Sequence, residues 1–175
     1  MTTTDDRSEP TRWSKATQHP GTWANPDDDP RESGAETETN DERSVLVDYL
    51  HRYRLTLEMK CADLDPEQLA RRSVSPSTMS LLGLVRHMAE VERHWFRREM
   101  AQVEAPRLYW TKERPDDDFD GAVPEQEVVD DAWRSWRAEV AFAEQYVEDT
   151  SDLGTRGRTG GTLRGIVVHM IEEYA

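Results

Sequence analysis

From Asp41 onward, apolar residues recur every three to four positions, which is the period of an amphipathic helix. Leu46, Tyr49, Leu50, Tyr53, Leu57 and Leu64 predict a first helix ending near Asp63. Asp65-Pro66-Glu67-Gln68 then carries the signals of a helix start: a capping carboxylate, proline in the first turn, and Gln three residues after the cap. A short helical turn through Leu69 follows from it. A second long helix is predicted from about Leu81 to Ala101, with Leu81, Leu84, Val85, Met88, Trp95 and Phe96 as its buried stripe. A third begins near Glu125 and carries Val128, Val129, Ala132, Trp136, Val140, Ala143 and Val147. The last opens at Thr162 and is still running at Ala175, so it reads as a helix cut short. Between these lie Ser73 to Thr78 with Pro76, residues 102–124 with Pro106, Pro115, Gly121 and Pro124, and the glycine-rich stretch from Gly154 to Gly161. Proline and glycine at that density break regular structure. No strand pattern of period two appears, so the expected fold is all-α, four helices around one core.

Residues 1 to about 40 follow no such period. They are rich in Thr, Ser, Asp, Glu, Pro and Gly, carry almost no aliphatic residues, and include Asn25-Pro26-Asp27-Asp28-Asp29-Pro30. A segment of that kind cannot bury enough apolar area to offset its ordering entropy. The expected organisation is a disordered acidic tail over 1–40, in which Trp13 and Trp23 pack loosely, and one bundle domain over 41–175.

Composition narrows the function classes. With 36 acidic against 22 basic side chains in 175 residues the net charge is −14, and a phosphate backbone or an anionic membrane would be repelled. No apolar run is long enough to span a bilayer, and Met1 to Arg12 lacks the basic and apolar regions of a secretory signal. Neither nucleic acid nor membrane is expected as a partner, and the expected compartment is the cytoplasm. The single cysteine, Cys61, excludes an intramolecular disulfide and a thiolate metal cage. It reads as a packing residue at a helix end.

One pattern points to chemistry. Leu81-Leu82-Gly83-Leu84-Val85-Arg86-His87-Met88-Ala89-Glu90-Val91-Glu92 returns in similar form as Leu163-Arg164-Gly165-Ile166-Val167-Val168-His169-Met170-Ile171-Glu172-Glu173-Tyr174, with six identical positions and a hydroxyl residue, Ser80 or Thr162, before each copy. Each hydroxyl stands where an N-cap belongs. Each copy places one histidine at the flank of the apolar stripe, so two helices offer imidazoles from the border of the core, where they could share a metal ion. Glu173 follows His169 by four residues and lies on the same face. Glu90 and His94 lie near the His87 flank, either as partners fixing its tautomer or as solvated residues. A histidine on a stripe edge also serves as a plain packing residue, and His51 and His19, which have no counterpart, are read that way. The acidic run Asp116-Asp117-Asp118 with Asp120 lacks the alternating ligands of a calcium loop and reads as a solvated loop.

The segment from Leu81 to Phe96, with Val168-His169-Met170-Ile171-Glu172-Glu173-Tyr174-Ala175, resembles the DinB-like superfamily, and within it the mini-circle-protein branch. The likeness covers about residues 41–175. It implies a DinB-like four-helix bundle that holds a divalent ion, zinc or nickel foremost, and a kinship with transferases and isomerases that use a low-molecular-weight thiol such as mycothiol or bacillithiol. In those relatives the ion is thought to activate the thiol as a thiolate. The ligand pattern implied is one histidine on the second helix and a pair a turn apart on the fourth, His-x3-His or Glu-x3-His. His87 matches the first position. On the fourth helix the branch usually continues into an Arg-His-x-Gly-His stretch past Tyr174-Ala175, so His169 is a substitute ligand, a supporting residue or a bundle residue, and the chain reads as truncated. The expectation is a metal- and thiol-dependent S-transferase acting on a small electrophilic molecule, with His87, His169 and Glu173 as the metal set. The alternative is a non-catalytic helical module, or an inactive truncated homologue, that uses apolar surface around Met170 and Tyr174 to bind a partner or to form a homodimer.

Overall fold

A computed structural model of the chain describes residues 29–31 and 41–175. The expected tail, with Trp13, Trp23 and His19, falls outside the described residues apart from Asp29, Pro30 and Arg31. Two compact units divide the chain, Met1–Asn40 and Asp41–Ala175, and the second is the helical domain.

That domain is built from α1 (Glu42–Cys61), α2 (Pro66–Ala70), α3 (Leu81–Glu92) with a π-helical extension (Arg93–Met100), α4 (Asp117–Asp120), α5 (Gln126–Asp149) and α6 (Leu163–Tyr174). Among the described residues there is no strand, only an isolated antiparallel bridge between Arg156 and Thr162. The all-α fold is the one that the apolar spacing predicts. The caps are also where the sequence puts them: the Ser80 and Thr162 hydroxyls accept from the Gly83 and Gly165 amides at 3.1 and 3.2 Å. Asp65 and Gln68 close a capping box over α2. No helix among the described residues is long and apolar enough to cross a membrane.

The core is formed by α3 packed chiefly on α5 and α1 packed chiefly on α6. Leu82, Val85, Ala89 and Phe96 of α3 and its extension meet Ala132, Trp136 and Ala143 of α5 within one cluster that also takes Leu50, Leu163, Val167 and Met170. The α3 stripe is therefore turned from the predicted one. Leu82 and Ala89 are fully buried while Leu81, Leu84 and Trp95 are only partly so. Tyr49, expected inside, is exposed. Both differences have one cause: the core accommodates buried charged side chains at Arg54, Arg86, Glu90, Glu92 and Glu139, and a hydrophobicity pattern counts those positions as surface.

The predicted continuous helix to Ala101 becomes π-helical after Glu92, ending with the Ala101 amide bonded to the Phe96 carbonyl at 2.9 Å. This places Arg93 and Arg97 on the same carboxylate, Glu139 of α5, at 2.7 and 2.8 Å. The long connection after it is tied back to α3. Glu90 accepts from the Leu108 and Tyr109 amides at 2.6 and 3.1 Å, and the Arg86 guanidinium lies 3.9 Å over the Tyr109 ring. Burial pushes the Tyr109 hydroxyl up to about 12.

At the centre, four helices share one polar cluster. Arg54 of α1 binds Glu92 of α3 through two bonds of 2.8 Å. The Tyr174 hydroxyl of α6 donates to the same carboxylate at 2.8 Å, and accepts from the Trp136 indole of α5 at 2.8 Å. Burial opposes the charge on Arg54, but the Glu92 carboxylate outweighs it and holds the guanidinium above its ordinary value. Tyr174 is pushed well up, first by burial and then by the Glu92 charge. This arrangement corrects the idea of an apolar patch around Met170 and Tyr174. Met170 is fully buried, and Tyr174 is bonded into the interior.

Candidate functional site

α3 and α6 run antiparallel where they meet, with His87 opposite Glu173 and Trp95 opposite His169. Matched phase in two matched windows thus becomes convergence in space. His87 Nε2 lies 3.7 Å from Glu173 Oε2, and His169 Nε2 lies 3.0 Å from Glu173 Oε1. One carboxylate therefore faces an imidazole nitrogen with each of its oxygens. The three side chains are 31, 39 and 28% exposed, so the group sits at the mouth of the bundle, reachable from solvent. Phe119 stacks on the His87 ring at 5.1 Å and Trp95 meets the His169 ring edge-on at 4.9 Å, giving the group two aromatic walls.

The other ring nitrogen of His87 is bonded to Asp118 Oδ2 at 2.7 Å. The hydrogen bond to Asp118 raises the His87 pKa, burial opposes it, and the charges of Asp118 and then Glu173 raise it further. The acidic run reads as a solvated loop, but Asp118 within it is drawn in against His87. Its side chain is only 15% exposed, and the loop forms a short helix over α3. Nothing in an isolated Asp-rich run marks one carboxylate for burial. The usable signal was Arg86 beside His87, a charged residue on a helix face that could only be buried with a partner. Glu90 and His94, the two partners considered for His87, do not contact it: Glu90 holds the 108–109 backbone, and His94 packs edge-on against Trp95 at 4.7 Å. Burial lowers the His94 pKa. His51 is on the exposed face of α1, 3.9 Å from Glu144.

As a donor set, two imidazoles and one carboxylate from neighbouring helices suit a divalent ion of borderline softness. Among the described residues no group of three or more His, Cys, Asp or Glu stands ready-made around a common point. The three candidates instead contact one another through Glu173. The donor types fit such an ion. A separate pocket of about 330 Å³, lined by Leu50, His51, Arg54, Glu144 and Val167 among others, lies between α1, α5 and α6 and includes none of these residues.

The family model described as mycothiol S-transferase matches residues 45–175, which is nearly the whole helical domain. The chain belongs to the mycothiol S-transferase family. No curated protein and no solved structure matches it. Membership of the mycothiol S-transferases supports a transferase kind of function that involves a low-molecular-weight thiol, with a small molecule as the other reactant. It also agrees with the DinB-like resemblance of the two histidine windows.

Proposed function

We propose that this mycothiol S-transferase family member transfers a low-molecular-weight thiol, mycothiol, to a small electrophilic molecule, at a divalent-metal site made by His87, His169 and Glu173. Zinc or nickel suits that donor set. Within the superfamily the two histidine windows support the mini-circle-protein branch, and a thiol cofactor of this kind fits the reducing cytoplasm. The observation that carries the reading is the approach of the two imidazole Nε2 atoms to the two oxygens of Glu173, at 3.7 and 3.0 Å. Helices that merely pack do not need to bring two imidazoles and a carboxylate together at a solvent-open edge.

The residues divide the work. His87, His169 and Glu173 would hold the ion, which when bound makes a coordinated thiol give up its proton. Phe119 and Trp95 flank the histidines and shield the group from bulk water on two sides. The half-open position leaves room for thiol and electrophile to enter from solvent. In the reaction the thiol sulfur becomes bonded to an electrophilic carbon, and the group or electron pair displaced from that carbon is balanced by the proton released from the thiol.

Protein purified without chelator, as wild type and as His87→Ala, should be assayed for metal content and for consumption of mycothiol with an alkyl halide. We expect about one divalent ion per chain in wild type, its loss in the variant, and thiol consumption only by the loaded protein. Thermal unfolding of both proteins separates loss of the site from loss of the fold. A wild-type protein that stays metal-free after incubation with zinc and with nickel would overturn the reading.

A further inference from the structure

We infer that Asp118 is a positioning residue: its carboxylate fixes the neutral His87 ring as the Nδ1–H tautomer, with Nε2 directed toward Glu173. The ligand role of His87 belongs to the function proposed above, whereas the tautomer can be read without it.

The geometry is specific. An imidazole nitrogen 2.7 Å from a carboxylate oxygen must be the one that carries the proton, and the partner of one ring nitrogen sets the state of the other. The second oxygen of Asp118 is also engaged, accepting the Phe119 amide at 3.0 Å. Phe119 in turn stacks on the His87 ring, so ring plane and carboxylate are held by consecutive residues.

The turn that carries them is secured by α3 itself. Arg86, the residue before His87, donates from Nε to the Asp118 carbonyl at 2.9 Å and from Nη2 to the Asp117 carbonyl at 2.7 Å. Two glycines make the approach feasible. A Cβ at Gly83 would stand 2.9 Å from the Phe119 ring, and one at Gly121 would stand 2.7 Å from both Arg86 Nη2 and the Asp117 carbonyl. One helix thus supplies the histidine, the cation that anchors its partner's backbone, and the gap in which that partner's neighbour sits. A solvated acidic loop needs none of this.

The deciding variant is Asp118→Asn. Because the Phe119 amide claims Oδ1, the amide NH2 of Asn takes the place of Oδ2 and donates to His87 Nδ1, which forces the proton to Nε2. The shape of the site is unchanged while the tautomer inverts. Full-length protein with 15N-labelled histidine, stripped of metal, is examined by long-range proton–nitrogen NMR at a pH alkaline enough to keep His87 neutral. Wild type should show a protonated Nδ1, Asp118→Asn a protonated Nε2, and Asp118→Ala no fixed tautomer. Zinc affinity, measured by competition with a chromophoric chelator, should fall about 10–100-fold in Asp118→Asn. A protonated Nδ1 that persists in Asp118→Asn, or a protonated Nε2 in wild type, overturns the inference. If the tautomer inverts but wild type binds no zinc, the positioning role stands and the ligand reading fails. If zinc binds equally to both proteins with the tautomer unchanged, the positioning role fails and the ligand reading stands.

Discussion

His87 is held by two carboxylates from different elements, and this sets how its protonation couples to folding. The hydrogen bond to Asp118 raises the folded-state pKa most, burial works against it, and the Asp118 and Glu173 charges add to the rise. A histidine whose folded value exceeds its unfolded value of about 6.5 stabilises the fold fully below that unfolded value, and the contribution is lost as pH rises through the folded one. In metal-free protein, then, the stability advantage of wild type over His87→Gln should be largest in mild acid and shrink toward alkaline pH. Urea unfolding across the pH range checks this, and an advantage that grows with pH would contradict it. Metal binding should run the other way, since the same proton must leave before a ligand can form. At this scale the sequence points to three of the four side chains that meet at the candidate site. His87, His169 and Glu173 were visible because two windows repeat and because residues four apart on a helix share a face. Asp118 was not visible, because its pairing spans 31 positions and depends on Arg86 reaching across to the loop backbone.

The matched glycines of the two histidine helices show how equal sequence can mean unequal packing. Gly83 and Gly165 occupy the same place after their caps, yet a Cβ at Gly83 meets Phe119 at 2.9 Å, whereas one at Gly165 comes no nearer than 3.4 Å to the Thr162 hydroxyl. Alanine is favoured over glycine in a helix by up to about 1 kcal/mol. Gly165→Ala should therefore stabilise the protein by a few tenths to about 1 kcal/mol. Gly83→Ala should lose that gain and more, because crowding a packed site costs about 1–3 kcal/mol, and it should also loosen the turn that carries Asp118. Urea midpoints of the two variants must move in opposite directions; a shared direction would mean that the contact with Phe119 is slack. Helix positions, caps and the α2 capping box were legible, since each is written in local residue choice. The π-helical extension was not. It accompanies a tertiary contact, Arg93 and Arg97 both reaching Glu139, that spacing along the chain does not record.

The whole domain converges on Glu92, which is fully buried and tied to Arg54, and through Tyr174 to Trp136, so that α1, α3, α5 and α6 each contribute one member. A chain with so few apolar residues has limited core to stabilise its topology, and a shared polar cluster fixes how the four helices rotate about one another. It also sets α6, because Tyr174 follows Glu173 directly and its hydroxyl anchors the end of the helix that faces His87. Breaking a buried pair by removing one partner costs about 3–5 kcal/mol, more than the pair itself is worth, because the remaining charge stays buried. Glu92→Gln keeps the volume but leaves Arg54 without its counter-charge, so urea unfolding should show a loss in that range. Arg54→Met with Glu92→Met removes both charges, and its loss should be well below the sum of the losses of Arg54→Met and Glu92→Met made singly, a non-additivity expected only of groups that interact. Additive losses would mean that Arg54 and Glu92 are solvated separately. If the cluster also sets the α6 rotation, the double variant, in which Tyr174 has lost its acceptor, should bind zinc more weakly even under conditions where it is folded, whereas Glu92→Gln, whose amide oxygen still accepts the Tyr174 hydroxyl, should keep more of the affinity. Zinc competition on the folded variants separates the two effects, because stability follows the charge balance while the placement of Glu173 follows the Tyr174 bond.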